Sequence, residues 1–343
     1  MNNSVALNRK FCVAPMMEWT DRHCRFFHRQ LSSQAVLYTE MVTADAILFG
    51  DKDRLIGYSP QEHPVAIQLG GSDPKALADA AHICQEFGYK EVNINVGCPS
   101  DRVQSGRFGA CLMQEPELVA TCVKAMKDAV NIPITVKCRI GVDDQEPQDA
   151  LFKMAHSVFD QGCDSLIVHA RKAWLKGLSP KENRDIPPLD YPLVYRLKEA
   201  LPNQEIIING GIETAKEGLD HLNYVDGVML GRTAYYQPFQ LIDVDADYYG
   251  LHHGYDEKIM LETMHGYINH HIKNGFKAHG VTRHMLGLFH SIGGAKKWRQ
   301  LLTVKAVDPN STADILWEAY EHIIQGRKRL QQSLEQRVEL HNE

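Results

Sequence analysis

Residues 91–113 read EVNINVGCPSDRVQSGRFGACLM, which predicts a β-strand that runs directly into a glycine-containing loop. Polar and apolar residues alternate from Glu91 to Val96, and a period of two is typical of a strand. Pro99 disfavours helical backbone at Cys98 and has no amide hydrogen to donate, so the strand should end there. If the strand belongs to an α/β barrel, the Cys98 thiol lies at the end that carries catalytic groups.

Seven further short apolar or β-branched runs resemble this strand, and plausible helices follow most of the eight. The eight runs are FCVAPM from Phe11, AVLYTEM from Ala35, PVAIQLGG from Pro64, EVNINVG from Glu91, PITVKCRIG from Pro133, SLIVHAR from Ser165, EIIINGGI from Glu205 and GVMLGR from Gly227. Asp73 and Pro74 are start signals for one helix, and Gly88 is its stop signal. Alternating strands and helices predict a parallel sheet, and eight units favour an α/β fold closed into a (β/α)8 TIM barrel.

The strand pattern disappears after Tyr236, and the sequence from about Asp256 onward predicts helices. A chain of 343 residues has room for a barrel of about 250 residues and a smaller second domain. We therefore predict a catalytic barrel over residues 1–245, a small all-helical C-terminal domain over residues 246–332 and a polar tail over residues 333–343.

The composition is that of a soluble globular protein, with 44% hydrophobic and 23% charged residues. No apolar run approaches the ~18 residues of a membrane span, and the opening MNNSVALNRK lacks the apolar core of a signal peptide, so we expect a cytoplasmic protein without membrane association. The eight cysteines form no CxxC pair and show no zinc-ligand spacing with histidines, so neither a disulfide scaffold nor a metal site is expected. The net charge of −6 requires any nucleic-acid site to be a local basic patch, such as residues 171–184 or 296–299.

Polar side chains end four successive predicted strands, namely Gln68, Cys98, Lys137 and His169. A single histidine or lysine in a strand is more often a core residue or a snorkelling side chain than a ligand. Four polar groups that converge on one rim of a barrel instead favour a small-molecule site.

Glycine turns end the seventh and eighth predicted strands, at Asn209 to Gly211 and at Gly231 followed by Arg232. Either turn alone could serve only the backbone, but a barrel often binds phosphate at these two places. A phosphate-bearing cofactor contacted by lysine and histidine, without a GxGxxG motif, fits flavin mononucleotide (FMN) better than a dinucleotide. Lys137 is then expected near N1 and O2 of the reduced flavin. The PMM tripeptide that ends the first strand would cover the flavin, but core packing alone explains it equally well.

Cys98 differs from the other cysteines because it precedes a proline at a strand end and opens the Ser100–Gly109 loop, whose glycines permit movement over a substrate. A thiol in this position can supply a proton or act as a nucleophile. The residues alone leave both roles open.

Together these stretches resemble the FMN-dependent tRNA-dihydrouridine synthases. The resemblance rests on APMMEWTDRHCR, YTEMVTADAIL, VAIQLGG, NINVGCPSDRVQSGRFGACLM, ITVKCRIG, IVHARKAWLKGLSPKENR, IINGGI and VMLGR. Residues 171–184 look like the signature of the family's A subgroup, which implies uridines 20 and 20a of the tRNA D loop as targets. The resemblance further implies tRNA as the partner, FMN as the cofactor and NADPH as the reductant, although no NADPH motif is visible. It implies no obligate protein partner.

Carried over by residue, the resemblance makes Cys98 the general acid, which protonates C5 of uracil while a hydride passes from N5 of reduced flavin to C6. The implied FMN contacts are Pro15, Met16, Met17, Gln68, Lys137, His169, Asn209, Gly210, Gly211, Gly231 and Arg232. Asn95 is expected to present its amide to the uracil edge, and Arg139 and Arg171 are candidates for the base or its phosphate. The remaining expected tRNA contacts are Lys181, Arg184, Lys297, Arg299 and Gln300.

Two other functions fit parts of the sequence. One is an FMN barrel reductase for a free pyrimidine, similar to dihydropyrimidine or dihydroorotate dehydrogenase, which would need neither the basic tract at 171–184 nor the KKWR cluster at 296–299. The other is an RNA-binding scaffold without catalysis, against which the presence of Cys98, Lys137 and His169 argues.

Overall fold

Eight parallel strands close into a barrel in the order of the sequence, from β1 next to β2 around to β8 next to β1. The structure is a computed structural model that describes residues 7–100, 106–252 and 254–341. The strands are β1 Phe11–Val13, β2 Val36–Thr43, β3 Val65–Gly70, β4 Val92–Val96, β5 Ile134–Arg139, β6 Ser165–His169, β7 Ile206–Asn209 and β8 Gly227–Leu230. One strand lies in each of the eight predicted runs, so the TIM-barrel prediction is confirmed.

Helices follow the strands and continue beyond the barrel. They are α1 Arg22–Arg29, α2 Ala44–Phe49, α3 Lys52–Ile56, α4 Pro74–Phe87, α5 Pro116–Ala129, α6 Pro147–Phe159, α7 Glu182–Asp185, α8 Tyr191–Ala200, α9 Ala215–His221, α10 Arg232–Tyr236, α11 Val244–Tyr249, α12 Glu257–Lys273, α13 His279–Thr282, α14 Ala295–Val304 and α15 Ile315–His341. Short 3₁₀ turns lie at Pro60–Glu62, Gly109–Gln114, Pro238–Leu241 and Lys305–Val307. The predicted start and stop of α4 are confirmed. The Asp73 side chain accepts from the backbone amide of Ala76, and Gly88 ends the helix with φ of 106°.

The period of two along each strand separates two cores. Val92, Ile94 and Val96 of β4 pack in the large core between the barrel and its helices. A second core fills the barrel interior with Cys12, Ala14, Val36, Tyr38, Ala66, Ile167, Ile207 and Met229. These residues come mainly from β1, β2, β6, β7 and β8, whereas β3 to β5 contribute buried polar side chains such as Asn93 and Thr135. The barrel interior is therefore apolar on one side and polar on the other.

The short helix α11 belongs structurally to the barrel. The carboxylate of Asp245 accepts hydrogen bonds from the side chains of Ser32 and Ser33, and the Tyr248 ring lies edge-on to Phe11 with centroids 4.9 Å apart. The predicted domain boundary between residues 245 and 246 falls inside this helix, because its apolar face packs where the barrel begins.

Helices α12 to α15 form the C-terminal helical part of the chain. Met260 and Met264 of α12 are buried, and Trp298 of α14 is fully buried. Helix α15 continues through residues 333–341, which the sequence predicted to be a tail, because this segment is rich in helix-forming residues and lacks proline and glycine. Within the described ranges, no helix has both the length and the apolar character needed to cross a membrane.

Candidate active site

A cavity of about 1070 Å³ opens at the carboxyl ends of the barrel strands. Most of the residues that the sequence predicted for the site line it. They are Pro15, Met16, Met17, Gln68, Asn95, Cys98, Lys137, Arg139, His169, Arg171, Arg184, Asn209, Gly210, Gly211, Gly231 and Arg232. The barrel brings these residues together because parallel strands in a closed sheet all end on the same rim.

Cys98 lies half-buried on the cavity wall. Its amide donates to Oδ1 of Asn95 at 2.9 Å, its carbonyl accepts from the amide of Ala110 at 2.9 Å, and its Sγ lies 3.5 Å from Oγ of Ser100. All eight cysteines fall within the described ranges, and Cys98 alone lines the cavity. Burial instead raises the pKa of Cys138 to about 12, which suits an inert structural thiol.

The side-chain amide of Asn95 holds the backbone of Gly97 and Cys98, which we call the cysteine turn. Its Oδ1 accepts from the amides of Gly97 at 3.1 Å and Cys98 at 2.9 Å, and its Nδ2 donates to Oε1 of Gln68 at 2.8 Å. From the sequence, the side-chain amide of Asn95 was expected to face the uracil edge. In this arrangement both lone pairs of Oδ1 serve the turn, and one Nδ2 hydrogen remains for the cavity.

Lys137 presents an ammonium group to the cavity beside a neutral amide. Its Nζ donates to Oδ1 of Asn209 at 3.0 Å, and Asn209 is held in turn by donation from its Nδ2 to the carbonyl of Met229 at 2.7 Å. Burial, with a smaller contribution from Arg139, lowers the pKa of Lys137 to about 8. No carboxylate among the described residues pairs with Lys137, so an anionic ligand would supply a negative partner for it.

Arg139 clamps the cysteine turn to the basic tract of residues 171–184. Its Nε donates to the carbonyl of Gly97 at 3.0 Å, and its Nη1 donates to the carbonyls of Lys172 at 3.0 Å and Asn183 at 2.8 Å. Burial lowers the pKa of Arg139 to about 10. The side chain that the sequence assigned to the base or its phosphate thus also fixes the geometry of two loops.

Two buried nitrogen atoms at this rim lack a hydrogen-bond partner among the described residues, Nδ1 of His169 and Nε of Arg171. Burial, followed by the charges of Arg139 and Lys137, holds the pKa of His169 well below its usual range, so the ring is neutral at pH 7. Buried polar atoms are nearly always satisfied in folded proteins. These two atoms therefore point to a polar ligand.

The turn after β7 fits closely against its neighbours. Gly211 has φ of 73°, and a Cβ added there would lie 2.4 Å from Cδ1 of Leu189 and 2.8 Å from the hydroxyl of Tyr191. At the turn after β8, Arg232 forms an ion pair with Asp185, with Nη2 and Oδ1 2.7 Å apart. The guanidinium that the sequence assigned to a phosphate is thus already engaged by a carboxylate of α7.

The residues expected to contact tRNA occupy two separate elements. Arg184 lies on α7 at the cavity, and Lys181 is exposed just before that helix. Lys297, Arg299 and Gln300 are exposed on α14, where Nζ of Lys297 donates to Oε1 of Gln300 at 3.1 Å. Of the loop expected to cover the substrate, Ser100–Gly109, residues 101–105 lie outside the described ranges.

Residues 12–324 match the family model described as dihydrouridine synthase (Dus). The chain belongs to the dihydrouridine synthase family. It is 50% identical over 318 residues to the tRNA-dihydrouridine(20/20a) synthase of Vibrio vulnificus, which covers 92% of this chain and 97% of that protein. It is 51% identical over 313 residues to the protein of the same name from Yersinia pestis, with 91% and 90% covered, and 51% identical over 320 residues to that of Escherichia coli O6:H1, with 93% and 96% covered.

Among solved structures, the old yellow enzyme homologue from Zymomonas mobilis is similar, with a TM-score of 0.50 and 11% sequence identity over 67% of this chain and 86% of that chain. At this identity the likeness concerns the fold alone. Membership of the dihydrouridine synthase family confirms the resemblance found in the sequence.

Several buried polar residues beneath the site of this dihydrouridine synthase were not predicted from the sequence, chiefly Glu91, Asn93 and Thr135. A signal was present, because Glu91 and Asn93 share the alternation of Asn95 and so project from the same face of β4. The partners of these residues come from other strands and could not be read from the local sequence.

Proposed function

We propose that this protein is a tRNA-dihydrouridine synthase that reduces the C5–C6 double bond of uridines 20 and 20a in the tRNA D loop, with FMN as cofactor and NADPH as reductant. The observation that carries the proposal is the convergence of Cys98, Lys137 and His169 on one cavity at the strand ends. The relatives that share about half of the sequence bear this activity in their names. Such a reaction belongs in the cytoplasm, with tRNA as the partner.

The residues at the rim fit a flavin with a phosphate. Lys137 supplies positive charge beside the cavity, and the orphaned Nδ1 of His169 and Nε of Arg171 supply polar atoms that need a partner. Gly210 and Gly211 line the cavity, so the backbone of this turn is within reach of a phosphate bound there. FMN held by these groups would, when reduced, supply a hydride to C6 of the uracil ring.

Cys98 is the proton donor in this proposal. Reduction at C6 leaves negative charge that extends from C5 toward O4, and protonation at C5 by Sγ completes the addition. The thiol loses its proton in that step and regains it from solvent. The amide of Cys98 donates to Asn95 and its carbonyl accepts from Ala110, and these two hydrogen bonds fix the backbone from which Sγ projects.

The remaining cavity residues serve the nucleic acid. Arg171 and Arg184 place two cations at the cavity, where an extruded uridine and its phosphate would enter. Asn95 offers its remaining amide hydrogen to a carbonyl oxygen of the base. Lys181 and the exposed groups of α14, Lys297, Arg299 and Gln300, are proposed to bind the tRNA backbone.

Replacement of the proposed acid tests the assignment. Cys98→Ala should retain FMN and oxidise NADPH, but it should form no dihydrouridine in tRNA. Cys111→Ala is the matched control, because Cys111 is also only partly buried but does not line the cavity. A normal yield of dihydrouridine from Cys98→Ala would remove Cys98 from the acid role.

The substrate is tested independently by mass mapping of tRNA from cells that lack this protein. Loss of dihydrouridine at positions 20 and 20a, restored by the wild-type chain, is the expected result. Unaltered tRNA together with reduction of free uracil by the purified protein would favour the alternative of a free-pyrimidine reductase.

A further inference from the structure

A chain of side-chain hydrogen bonds begins directly beneath Cys98 and runs into the barrel interior. The amide of Cys98 donates to Oδ1 of Asn95 at 2.9 Å, and Nδ2 of Asn95 donates to Oε1 of Gln68 at 2.8 Å. Nε2 of Gln68 then donates to Oδ1 of Asn93 at 2.8 Å. None of these three amide side chains is more than 9% exposed, although Asn95 and Gln68 line the cavity.

This hydrogen-bond chain ends on the buried carboxylate of Glu91, deeper in the barrel. Nδ2 of Asn93 donates to Oγ1 of Thr135 at 2.8 Å, and that hydroxyl donates to Oε1 of Glu91 at 2.6 Å. Glu91 is fully buried and forms an ion pair with Arg9, with Oε2 and Nε 2.7 Å apart. The hydroxyl of Tyr38 also donates to this Oε1, at 2.6 Å, but Tyr38 is not part of the series of hydrogen bonds that connects Glu91 with Cys98.

All the hydrogen bonds of this chain point the same way, with each donor directed toward Glu91. A carboxylate can only accept, so the proton of Thr135 must go to Glu91 and its lone pairs must accept from Asn93. Because Nδ2 of Asn93 donates to Thr135, its Oδ1 is the atom that accepts from Gln68. In the same way, Oε1 of Gln68 accepts from Asn95. A primary amide in isolation could turn by 180° and exchange its donor for its acceptor, but an anchor that only accepts removes this freedom.

The end of the hydrogen-bond chain at Cys98 requires the same orientation of the amides. The backbone amides of Gly97 and Cys98 can only donate, and both point at Asn95, whose oxygen must therefore face the cysteine turn. Both ends agree on the orientation of every amide between them. Only one orientation of Asn95 and Gln68 satisfies the whole chain, and this orientation directs the remaining hydrogen of Asn95, rather than its oxygen, toward a ligand.

We propose that Glu91 and Thr135 are positioning residues for the active site: from inside the barrel they fix the direction of the hydrogen-bond chain and thereby hold Asn95 as the acceptor for the Cys98 backbone and as a donor toward the substrate. Neither residue lines the cavity, so they act through Asn93 and Gln68. The relevance to catalysis rests on the proposed function, whereas the orientation of the amides does not.

Thr135→Val tests the proposal, because valine has nearly the shape of threonine but neither donates nor accepts a hydrogen bond. Asn93 then loses its acceptor and can turn, and the change can pass along Gln68 to Asn95. We expect hydrogen exchange at the amides of Gly97 and Cys98, measured on protein without flavin or tRNA, to accelerate about fivefold or more. The strand amide of Ile94 should exchange at its wild-type rate.

Two controls separate positioning from general damage. Thr135→Ser keeps the hydroxyl and should restore slow exchange at Cys98. Tyr38→Phe removes a hydrogen bond from the same oxygen of Glu91 but lies outside the chain, so exchange at Cys98 should stay at the wild-type rate. Unchanged exchange in Thr135→Val, or equal acceleration in Tyr38→Phe, would overturn the proposal.

Turnover supplies the second readout. In Thr135→Val we expect a normal FMN content but a kcat for dihydrouridine formation at least tenfold below that of wild type, and Thr135→Ser should restore it. The exchange measurement needs neither FMN nor tRNA. If the protein modified a different substrate, the proposed function would be wrong. The exchange result would still decide whether Glu91 and Thr135 orient the hydrogen-bond chain.

Discussion

At the scale of single residues, the site combines a thiol fixed through its backbone with two cations, Lys137 and Arg139, that have no carboxylate partner among the described residues. Lys137 donates to the neutral amide of Asn209, and Arg139 donates to three carbonyl oxygens. Buried cations without counter-ions cost stability, and they persist where a ligand uses their charge.

Removal of the Lys137 charge should remove this cost. We expect Lys137→Met to stabilise the flavin-free protein by about 1 kcal/mol at pH 7, because it removes a poorly solvated charge. The same change should weaken FMN binding, since the ammonium group beside the cavity is lost. Urea unfolding of the flavin-free protein and titration with FMN measure the two effects.

The pH dependence of the Lys137 effect has a definite sign. The pKa is about 8 in the folded chain and is ordinarily about 10.5, so between these values the unfolded state binds more protons and wild-type stability rises with pH. Lys137→Met has no such group, and its advantage should shrink as pH rises from 8 toward 10. An advantage that grew over this interval would contradict the assigned shift.

The strand-end residues could be predicted from sequence because position on a barrel strand fixes the rim to which a side chain contributes. The alternation in residues 91–96 likewise fixed which side chains of β4 point inward. The partners of Arg139 and Arg232 could not be predicted, since they lie on loops whose path depends on the whole fold. Nor could the local sequence show that the oxygen of Asn95 serves the cysteine turn.

At the scale of elements, helix α1 joins the barrel to the helical part of the chain. Asp21 is its N-cap and accepts from the amides of His23 and Cys24. The same carboxylate pairs with Arg283 at 2.5 Å and with His284 at 3.1 Å. Burial alone would raise the pKa of Asp21, but the hydrogen bond and charge of His284 hold it well below its usual value.

We expect Asp21→Ala to lower the free energy of unfolding by about 3 kcal/mol, because both the cap and the link to Arg283 are lost. Asp21→Asn keeps an oxygen for the cap and should cost about half as much. Asp51→Ala serves as the control. The Asp51 side chain caps α3 by accepting from the backbone amide of Arg54, and its loss should cost about 1 kcal/mol.

The stabilisation by Asp21 should also depend on pH. Because its folded pKa is depressed, the contribution is present above about pH 4 and is lost as pH falls further. Chemical denaturation of wild type and Asp21→Ala at pH 7 and pH 3 checks this. An equal difference between the two proteins at both pH values would contradict it.

At the scale of the whole molecule, the chain carries a net charge of −6, yet it is proposed to bind a polyanion. Binding must therefore depend on local cations near the cavity and on α14, and it should be sensitive to salt. Two surface elements contribute them, one on the barrel at residues 181–184 and one in the helical part at residues 297–300. A tRNA that contacts both would be held across the two parts of the chain.

We expect Lys181→Ala combined with Arg184→Ala to weaken tRNA binding and leave NADPH-dependent flavin reduction unchanged. If each cation contacts one phosphate, the slope of log Kd against log salt concentration should fall by about 0.7–0.9 for each residue removed. Lys297→Ala with Arg299→Ala should act similarly from α14. Lys75→Ala is the control, because Lys75 is an exposed lysine paired with Asp79 on α4.

Filter binding or fluorescence anisotropy at several salt concentrations provides the measurement. Unchanged affinity and slope in both double variants would show that these cations are solvated surface charges, and the tRNA face would have to lie elsewhere. A loss in the first pair alone would confine binding to the rim of the barrel. Because the slope counts ionic contacts, it separates these outcomes from a loss of affinity caused by a disturbed fold.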